Sequence, residues 1–402
     1  MNIIETLFYI LQAVLFIYLA STVIYLFVFS VASILPLKKK INKTVGNRKF
    51  AVIIPGYMED EVINDVAKEA LKQNYPKDKF DVVIVADKFG RDTINKLKQL
   101  PVILFDEQFK ISTKTRAINH ALRLLPENEY QAVCILDADN IMESDFLTKM
   151  NQALCNGFLA VQGHRIAKNL NTSFAILDAI SEEINNQLFR KGPRRLGLSS
   201  ALIGSAMAFD YKFFKALMQD IEVVGGFDKE LELNLLSNGN KIEYINDAYV
   251  YDEKVQNVRV FTQQRRRWLS AQFHYFGMHF GPATKALLKH GNIEYFNKAY
   301  QHMQLPRIIL LGMLFLLSVL SFVFNHQICS YCWFATFSLL VISLLLSIPT
   351  RFYVPSTFRA LLYLPVGFLF MLLSLLKIRG ANKKFIHTKH TYNAFQIKKK
   401  KK

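Results

Sequence analysis

Residues Ile3 to Leu35 form an almost unbroken apolar run with one charge, Glu5. Three more apolar runs come late, at Leu305–Phe324, Cys329–Ile348 and Leu361–Leu376. Each is near the ~20 residues that a helix needs to cross a ~30 Å hydrocarbon core. Backbone groups in lipid must be satisfied within the segment, so the pattern predicts helices. The first run is too long for a signal-peptide core, lacks a preceding basic region and has no small-residue cleavage site, and reads as a retained helix. Between the runs, from Lys38 to His302, short apolar stretches alternate with helical periodicity. Phe50–Ile54, Asp81–Val85, Pro101–Phe105 and Ala132–Leu136 predict buried strands, and Glu61–Gln73 and Thr113–Leu125 predict helices. Strands alternating with helices imply an α/β domain with a mostly parallel sheet. Ligands of such sheets bind beyond the carboxyl ends of the strands, where Pro55–Glu59, Asp87 and Asp137–Asp139 fall. Further on, Asp228–Ser237 reads as a helix, Lys241–Ile245 and Ala248–Tyr251 as short strands, and 261–280 and 290–304 as amphipathic helices suited to a membrane surface.

Composition sharpens this division. The chain of 402 residues is 51% hydrophobic, an excess concentrated in the four runs. The formal net charge of +18 raises nucleic-acid binding as one meaning. The basic clusters Lys38–Lys40, Lys383–Lys384 and Lys398–Lys402 flank hydrophobic runs instead, as cytoplasmic flanks of membrane helices do. A further cluster, Arg190, Lys191, Arg194 and Arg195, lies inside the polar region and suits anionic headgroups or a phosphorylated ligand. The four cysteines form no disulfide or zinc framework. Neither G-x-G-x-x-G nor a P-loop motif is present.

Two constellations carry chemistry. Asp137 and Asp139 follow a buried strand at a spacing that points both carboxylates the same way in an extended chain. Hard divalent cations such as Mg²⁺ bridge carboxylate and phosphate oxygens, so the pair suits a metal-bound diphosphate. On a helix, Gln264, Arg267 and Trp268 of Gln264-Arg265-Arg266-Arg267-Trp268 share a face. That face offers a guanidinium for phosphate and an indole surface for a sugar ring. Arg265 and Arg266 are expected to point elsewhere, toward the membrane surface.

The order Pro55…Glu59, Asp87, Lys114…Asn119, Asp137-x-Asp139, Gly204-Ser205, Glu230–Leu233 and Gln264-x-x-Arg267-Trp268 resembles the family 2 glycosyltransferases of GT-A fold. It is most similar to membrane-integrated synthases of the cellulose, hyaluronan and poly-N-acetylglucosamine type, over about residues 50–270. The resemblance implies an α/β GT-A catalytic domain plus transmembrane helices. It implies that Pro55, Glu59 and Asp87 hold the nucleoside, with Lys114 near the base or diphosphate. Asp137 would face the nucleotide sugar and Asp139 would hold Mg²⁺ or Mn²⁺. Gly204 and Ser205 would line the acceptor cleft. Gln264 and Arg267 would meet the diphosphate, and Trp268 the acceptor. Relatives carry Thr-Glu-Asp, whose Asp is the general base; here Asp228-Lys229-Glu230 stands at that place, which makes Glu230 the expected base and leaves Glu232 facing away.

The expected organisation is a transmembrane helix at 1–37, a GT-A domain at 38–260, interface helices at 261–304, hydrophobic segments with two or three crossings at 305–378 and a basic tail at 379–402. The expected protein sits in the cell (inner) membrane with a cytoplasmic catalytic domain. It transfers a sugar with inversion from a nucleotide sugar, UDP by base rate, to a growing polysaccharide. A lipid or other membrane-associated acceptor is the alternative, and a non-enzymatic basic scaffold the second. Membrane lipids and a partner subunit or oligomer complete the expected partners, without nucleic acid. Three late crossings would put the lysine-rich tail outside, against the positive-inside bias; either one late segment is re-entrant or interfacial or the tail is an exception, and a cytoplasmic tail is favoured.

Overall fold

The computed structural model describes residues 3–36, 46–223, 225–256, 258–324 and 327–377. The basic stretches at 38–40, 383–384 and 398–402, and with them the expected tail, lie outside the described residues. Eight strands form one sheet: β1 (Phe50–Tyr57), β2 (Phe80–Asp87), β3 (Ile103–Glu107), β4 (Ala132–Ile135), β5 (Ile141–Met142), β6 (Ala160–Ala167), β7 (Met207–Asp210) and β8 (Ile242–Asp252), in the order β3-β2-β1-β4-β7-β6-β8-β5.

The first half follows from the apolar pattern. Successive strand residues point to opposite faces. Ala51 and Ile53 of β1 accordingly pack on one side with Ala117, Ile118 and Ala121 of helix Lys114–Leu124. Phe50, Val52 and Ile54 pack on the other with Val66 and Ala67 of helix Ile63–Ala70. A strand buried on both faces must be apolar throughout, as β1 is. Strands β3, β2, β1 and β4 are mutually parallel.

The second half departs from a mostly parallel sheet. β7 lies antiparallel between β4 and β6, and β5 antiparallel to β8, so the sheet is mixed. A parallel neighbour requires a crossover back to the starting edge. The segment before β7 instead runs along the carboxyl edge, where Gly204 meets Lys114 and Ser205 meets Asp137, and enters the sheet from that side. The two short strands expected at 241–251 are one strand, β8, whose register against β6 jumps between Gly163 and His164.

The N-terminal helix, Ile3–Ile34, packs along the apolar helix Gln327–Leu346, and its Leu19, Val23, Leu26 and Phe29 belong to one apolar cluster with residues of helices Ser173–Asn185 and Arg307–Val323. Phe16 meets Trp333 edge-on at 5.1 Å, and Ser30 Oγ donates to the Ser343 carbonyl at 2.8 Å, so these two helices run in the same direction. The helix approaches the α/β domain so closely that a Cβ on Gly192 would lie 2.3 Å from the Phe29 carbonyl oxygen. The amphipathic region is one long helix, Val258–His290, followed by Ile293–Met303. By length and apolar composition, one described helix is sufficient to cross a membrane alone, at Glu5–Ile34. Ile293–Met303 with Arg307–Val323, bent by 62°, and Pro355–Leu361 with Leu364–Leu376, bent by 46°, qualify only if each pair counts as one span.

Candidate active site

The carboxyl ends of β1, β2 and β4, the start of β7 and the end of β8 converge. Three non-glycine residues here have positive φ: Met58 (54°) after β1, Lys88 (58°) after β2 and Ala206 (53°) before β7. Strained backbone of this kind persists where the surrounding structure imposes it, commonly at functional sites. Met58 N–H donates to the Asp87 carbonyl at 3.1 Å and Lys88 N–H to the Glu107 carbonyl at 3.0 Å, which fixes the two turns.

Carboxylate oxygens of Asp137, Asp139 and Asp252 lie within 4.8 Å of one another. Asp139 is buried; its Oδ2 accepts from Glu253 N–H at 2.8 Å and its Oδ1 from Asn140 Nδ2 at 3.1 Å. Asn140 Nδ2 also donates to Asp252 at 3.2 Å and so ties the ends of β4 and β8 together. Asp252 was not singled out from the sequence. The signal was there: like Asp87, it is an aspartate at the last residue of a strand.

Clustered carboxylates repel, and the protein surrounds these with cations. Lys114 Nζ pairs with Asp137 and donates to the Gly204 carbonyl at 2.6 Å. Arg165 Nη1 is 3.8 Å from Asp137 and 3.6 Å from Asp252, and Lys254 Nζ is 2.8 Å from Asp252. Burial pushes the Asp252 carboxyl up, but Arg165 and Lys254 outweigh it and hold the group below the usual carboxylate range. Beneath them Glu182 faces Arg165 at 3.0 Å, Arg190 at 3.4 Å and Lys254 at 3.9 Å. Its burial also acts upward, and the three cations again hold it low. Removing this carboxylate leaves three buried cations under-compensated, a change that typically costs ~3–5 kcal/mol. Glu182→Gln is therefore expected to lower unfolding stability by an amount of that order in a denaturant titration, whereas exposed Glu127→Gln leaves it unchanged.

The other expected site residues fall in distinct places. Pro55 is inside β1, paired with Val85, because the strand runs on to Tyr57 beyond the loop expected to begin there. Glu59 is buried, and its carbonyl accepts from Val62 and Ile63 to start the following helix. Asp87 Oδ1 accepts from Phe109 N–H at 3.2 Å, which fastens the chain after β3 to the end of β2. Gly204 has φ +81°, a conformation that favours glycine, and its carbonyl holds Lys114. Ser205 does not line an open cleft. It is fully buried under the Asp137 turn, accepting from Asp137 N–H at 3.2 Å and donating to Asn140 Oδ1.

The Gln264–Trp268 stretch lies on the long helix Val258–His290. Burial pushes the Arg267 guanidinium down, while the charges of Asp137 and Asp228 act in the opposite sense. Gln264 Oε1 is buried without a hydrogen-bond partner among the described residues. Arg265 does not point to a membrane surface: it pairs with Asp178 and lies 4.4 Å over the Trp268 ring.

Of the acidic helix Phe227–Ser237, Asp228 stands 3.5 Å from the position a Gly204 side chain would take, on the Lys114 side of the site. Glu230 Oε2 is 3.9 Å from His279 Nε2, beside Tyr275 and Tyr295. Glu232 is buried in an ion pair with Lys298 at 2.8 Å and accepts from Leu202 N–H at 3.1 Å. Burial pushes its carboxyl up, against the pull of Lys298.

A family model described as "Glycosyltransferase like family 2" matches residues 47–271, more than half of the 402 residues. The chain belongs to this family of glycosyltransferases. It is 24% identical over 241 residues to the probable glycosyltransferase YdaM of Bacillus subtilis (strain 168), a match covering 55% of this chain and 54% of that protein. The match thus spans about half the length of that curated relative. Among solved structures, it is similar to a mannosyltransferase, PcManGT, from Pyrobaculum calidifontis in complex with GDP-Man and Mn²⁺, with TM-score 0.48 and 18% identity over 81% of this chain and 99% of that one. It is also similar to S. aureus TarS 1–349, with TM-score 0.41 and 18% identity over 62% and 68% of the two chains. The family match takes in every expected site residue from Pro55 to Trp268.

Proposed function

We propose that this chain transfers a sugar, with inversion, from a nucleotide-sugar donor to an acceptor at a membrane surface. The observation that carries the reading is the convergence of Asp137, Asp139 and Asp252 within 4.8 Å, with the Arg267 guanidinium within electrostatic range of Asp137. An all-oxygen donor set of three carboxylates fits Mg²⁺ or Mn²⁺. Asp139 and Asp252 would hold the ion, with Asp137 toward the sugar. When bound, such a cation neutralises charge on a departing nucleoside diphosphate. The chain's own groups do the rest. Arg267 meets the diphosphate, and the orphaned Gln264 amide oxygen accepts a donor hydrogen bond. Glu59 and Asp87, with Pro55 inside β1, bound the nucleoside side. Lys114, paired with Asp137, holds it in place. A carboxylate of the Phe227–Ser237 helix takes the proton of the acceptor hydroxyl as it attacks the anomeric carbon. The bond to the diphosphate breaks on the opposite face, and configuration inverts. Asp228 is the better placed of the two candidate carboxylates, because it adjoins Gly204, whose carbonyl holds Lys114 beside Asp137, while Glu230 sits against His279.

The test is a panel of UDP-, GDP- and ADP-sugars with Mn²⁺, Mg²⁺ or chelator, read as nucleotide released, beside thermal shifts with the free diphosphates. One nucleotide stabilising the protein only with metal supports the reading. No shift and no release with any donor favours the scaffold. The acceptor in this reading is a growing polysaccharide. Transfer of one sugar to a lipid is a second reading, favoured by Leu269, next to Trp268, which packs in an apolar cluster with Ile309 and Met371.

The membrane part of the proposal has three crossings. Arg307 donates to the Ser181 carbonyl at 3.1 Å, and Arg351 pairs with Glu183, so both ends of the hairpin 307–346 adjoin the α/β domain. The last pair of helices stays on that side. Tyr363 meets Phe174 at 5.9 Å, Phe368 covers Gly312, and Met371 clusters with Ile309. Successive residues thus return toward the domain, and 13 residues of helix span only ~20 Å. In a cysteine-free background, Lys400→Cys is expected to resist a membrane-impermeant maleimide in intact cells while Phe324→Cys reacts. The opposite pattern would place the tail outside.

A further inference from the structure

Arg265 is one of the basic residues of the Gln264–Trp268 stretch that the donor-site reading leaves without a task. Its guanidinium lies 4.4 Å from the Trp268 ring centroid and 4.9 Å from that of Phe261, and its charge is taken up by Asp178. Asp178 is buried on helix Ser173–Asn185, where its Oδ2 also accepts from Val255 N–H at 3.4 Å. The guanidinium is therefore held by aromatic rings and by a carboxylate that is itself anchored. Residues 261, 265 and 268 recur at helical spacing, so the stack follows one ridge of the long helix.

We propose that Arg265, locked by Asp178, is a positioning residue that fixes the orientation of the Trp268 indole for a carbohydrate acceptor. A planar guanidinium stacks flat on an indole face, which a flexible ammonium does less well. With one face taken, a sugar ring meets the indole through its other face and its N–H edge. The cost of immobilising the indole is met in the fold, before the acceptor arrives. The inference rests on the reading of Trp268 as an acceptor contact, and extends it to two residues that touch neither donor nor acceptor.

The experiment uses the full chain with Trp333→Phe, so that Trp268 is the single indole fluorophore among the protein's two tryptophans. Time-resolved anisotropy without any ligand reads indole mobility directly. Isothermal titration calorimetry with gluco- and N-acetylglucosamine oligosaccharides reads acceptor affinity in every variant, including those without Trp268, and with UDP and Mn²⁺ it reads the donor side. Arg265→Gln is expected to free the indole and weaken oligosaccharide binding roughly 5- to 30-fold, the range of a partly desolvated cation–π contact. Donor affinity stays unchanged. Arg265→Lys restores part of the loss, and in a Trp268→Ala background Arg265→Gln adds nothing. Because Arg265→Gln leaves Asp178 without its cation, the double variant Asp178→Asn/Arg265→Gln provides a second version free of that charge. An indole as rigid in both variants as in the parent overturns the proposal, as does an equal loss of donor affinity. If the indole is freed but oligosaccharide binding is unaffected even by Trp268→Ala, the acceptor reading of Trp268 fails while its anchoring by Arg265 stands.

Discussion

Asp139→Ala is expected to lower metal-dependent sugar transfer by about 10²–10⁴-fold, with the folded state retained. A bound divalent cation supplies several kcal/mol of charge stabilisation in such a reaction, and each 1.4 kcal/mol is tenfold in rate. Asp139 is the most buried of the three clustered carboxylates, and its oxygens are held by Glu253 N–H and by Asn140. Its orientation is thus imposed by the fold. The Asp252→Asn variant provides the more informative comparison. It keeps the shape of the site and removes one carboxylate charge from beside Arg165 and Lys254. Its effect should appear mainly as a raised Mn²⁺ requirement, recovered in part at high metal concentration. Transfer rates of the two variants measured against Mn²⁺ decide the matter. Full activity of Asp139→Ala in chelator would remove the metal from the proposal, and an Asp252→Asn variant with an unchanged Mn²⁺ curve would remove Asp252 from the ligand set.

The second large effect is expected at the general base. Proton transfer by a positioned carboxylate contributes typically ~10²–10⁴-fold. Asp228→Asn is expected to lose kcat on that scale with donor binding intact, and Glu230→Gln to lose less than about tenfold. The reason is placement: Asp228 adjoins Gly204, whose carbonyl holds Lys114 beside Asp137, whereas Glu230 lies 3.9 Å from His279. The alignment of Asp228-Lys229-Glu230 with Thr-Glu-Asp pointed to Glu230 instead. If Glu230→Gln loses kcat and Asp228→Asn does not, the acceptor approaches from the His279 side. Glu232 does not compete for this role, since its carboxylate is engaged by Lys298 and the Leu202 N–H.

The charge pattern misled in an instructive way. The cluster Arg190, Lys191, Arg194 and Arg195 looks in sequence like a patch for anions. Tertiary structure divides it, sending Arg190 to Glu182 and Arg194 to Glu243 at 2.6 Å. Arg265 was assigned to lipid for the same reason: an arginine count along one helix does not reveal an aspartate on another.

By itself the sequence determined what local periodicity can encode. Apolar runs of strand length between helical segments predicted β1 to β4 and their parallel order, and acidic residues at two strand ends marked the edge where chemistry gathers. Helical spacing put Gln264, Arg267 and Trp268 on one helix, and run length set the apolar helices apart. Only the tertiary structure decided the rest. Asp252 joins a site 112 residues away from it in sequence, at Asn140, through the antiparallel entry of β7 and the register jump between β6 and β8. No window of neighbouring residues carries that register. The buried cations around Glu182 and the burial of Ser205 are likewise features of the packed molecule. Pairing energies between charged groups depend on separation and burial, and both are properties of the packed molecule.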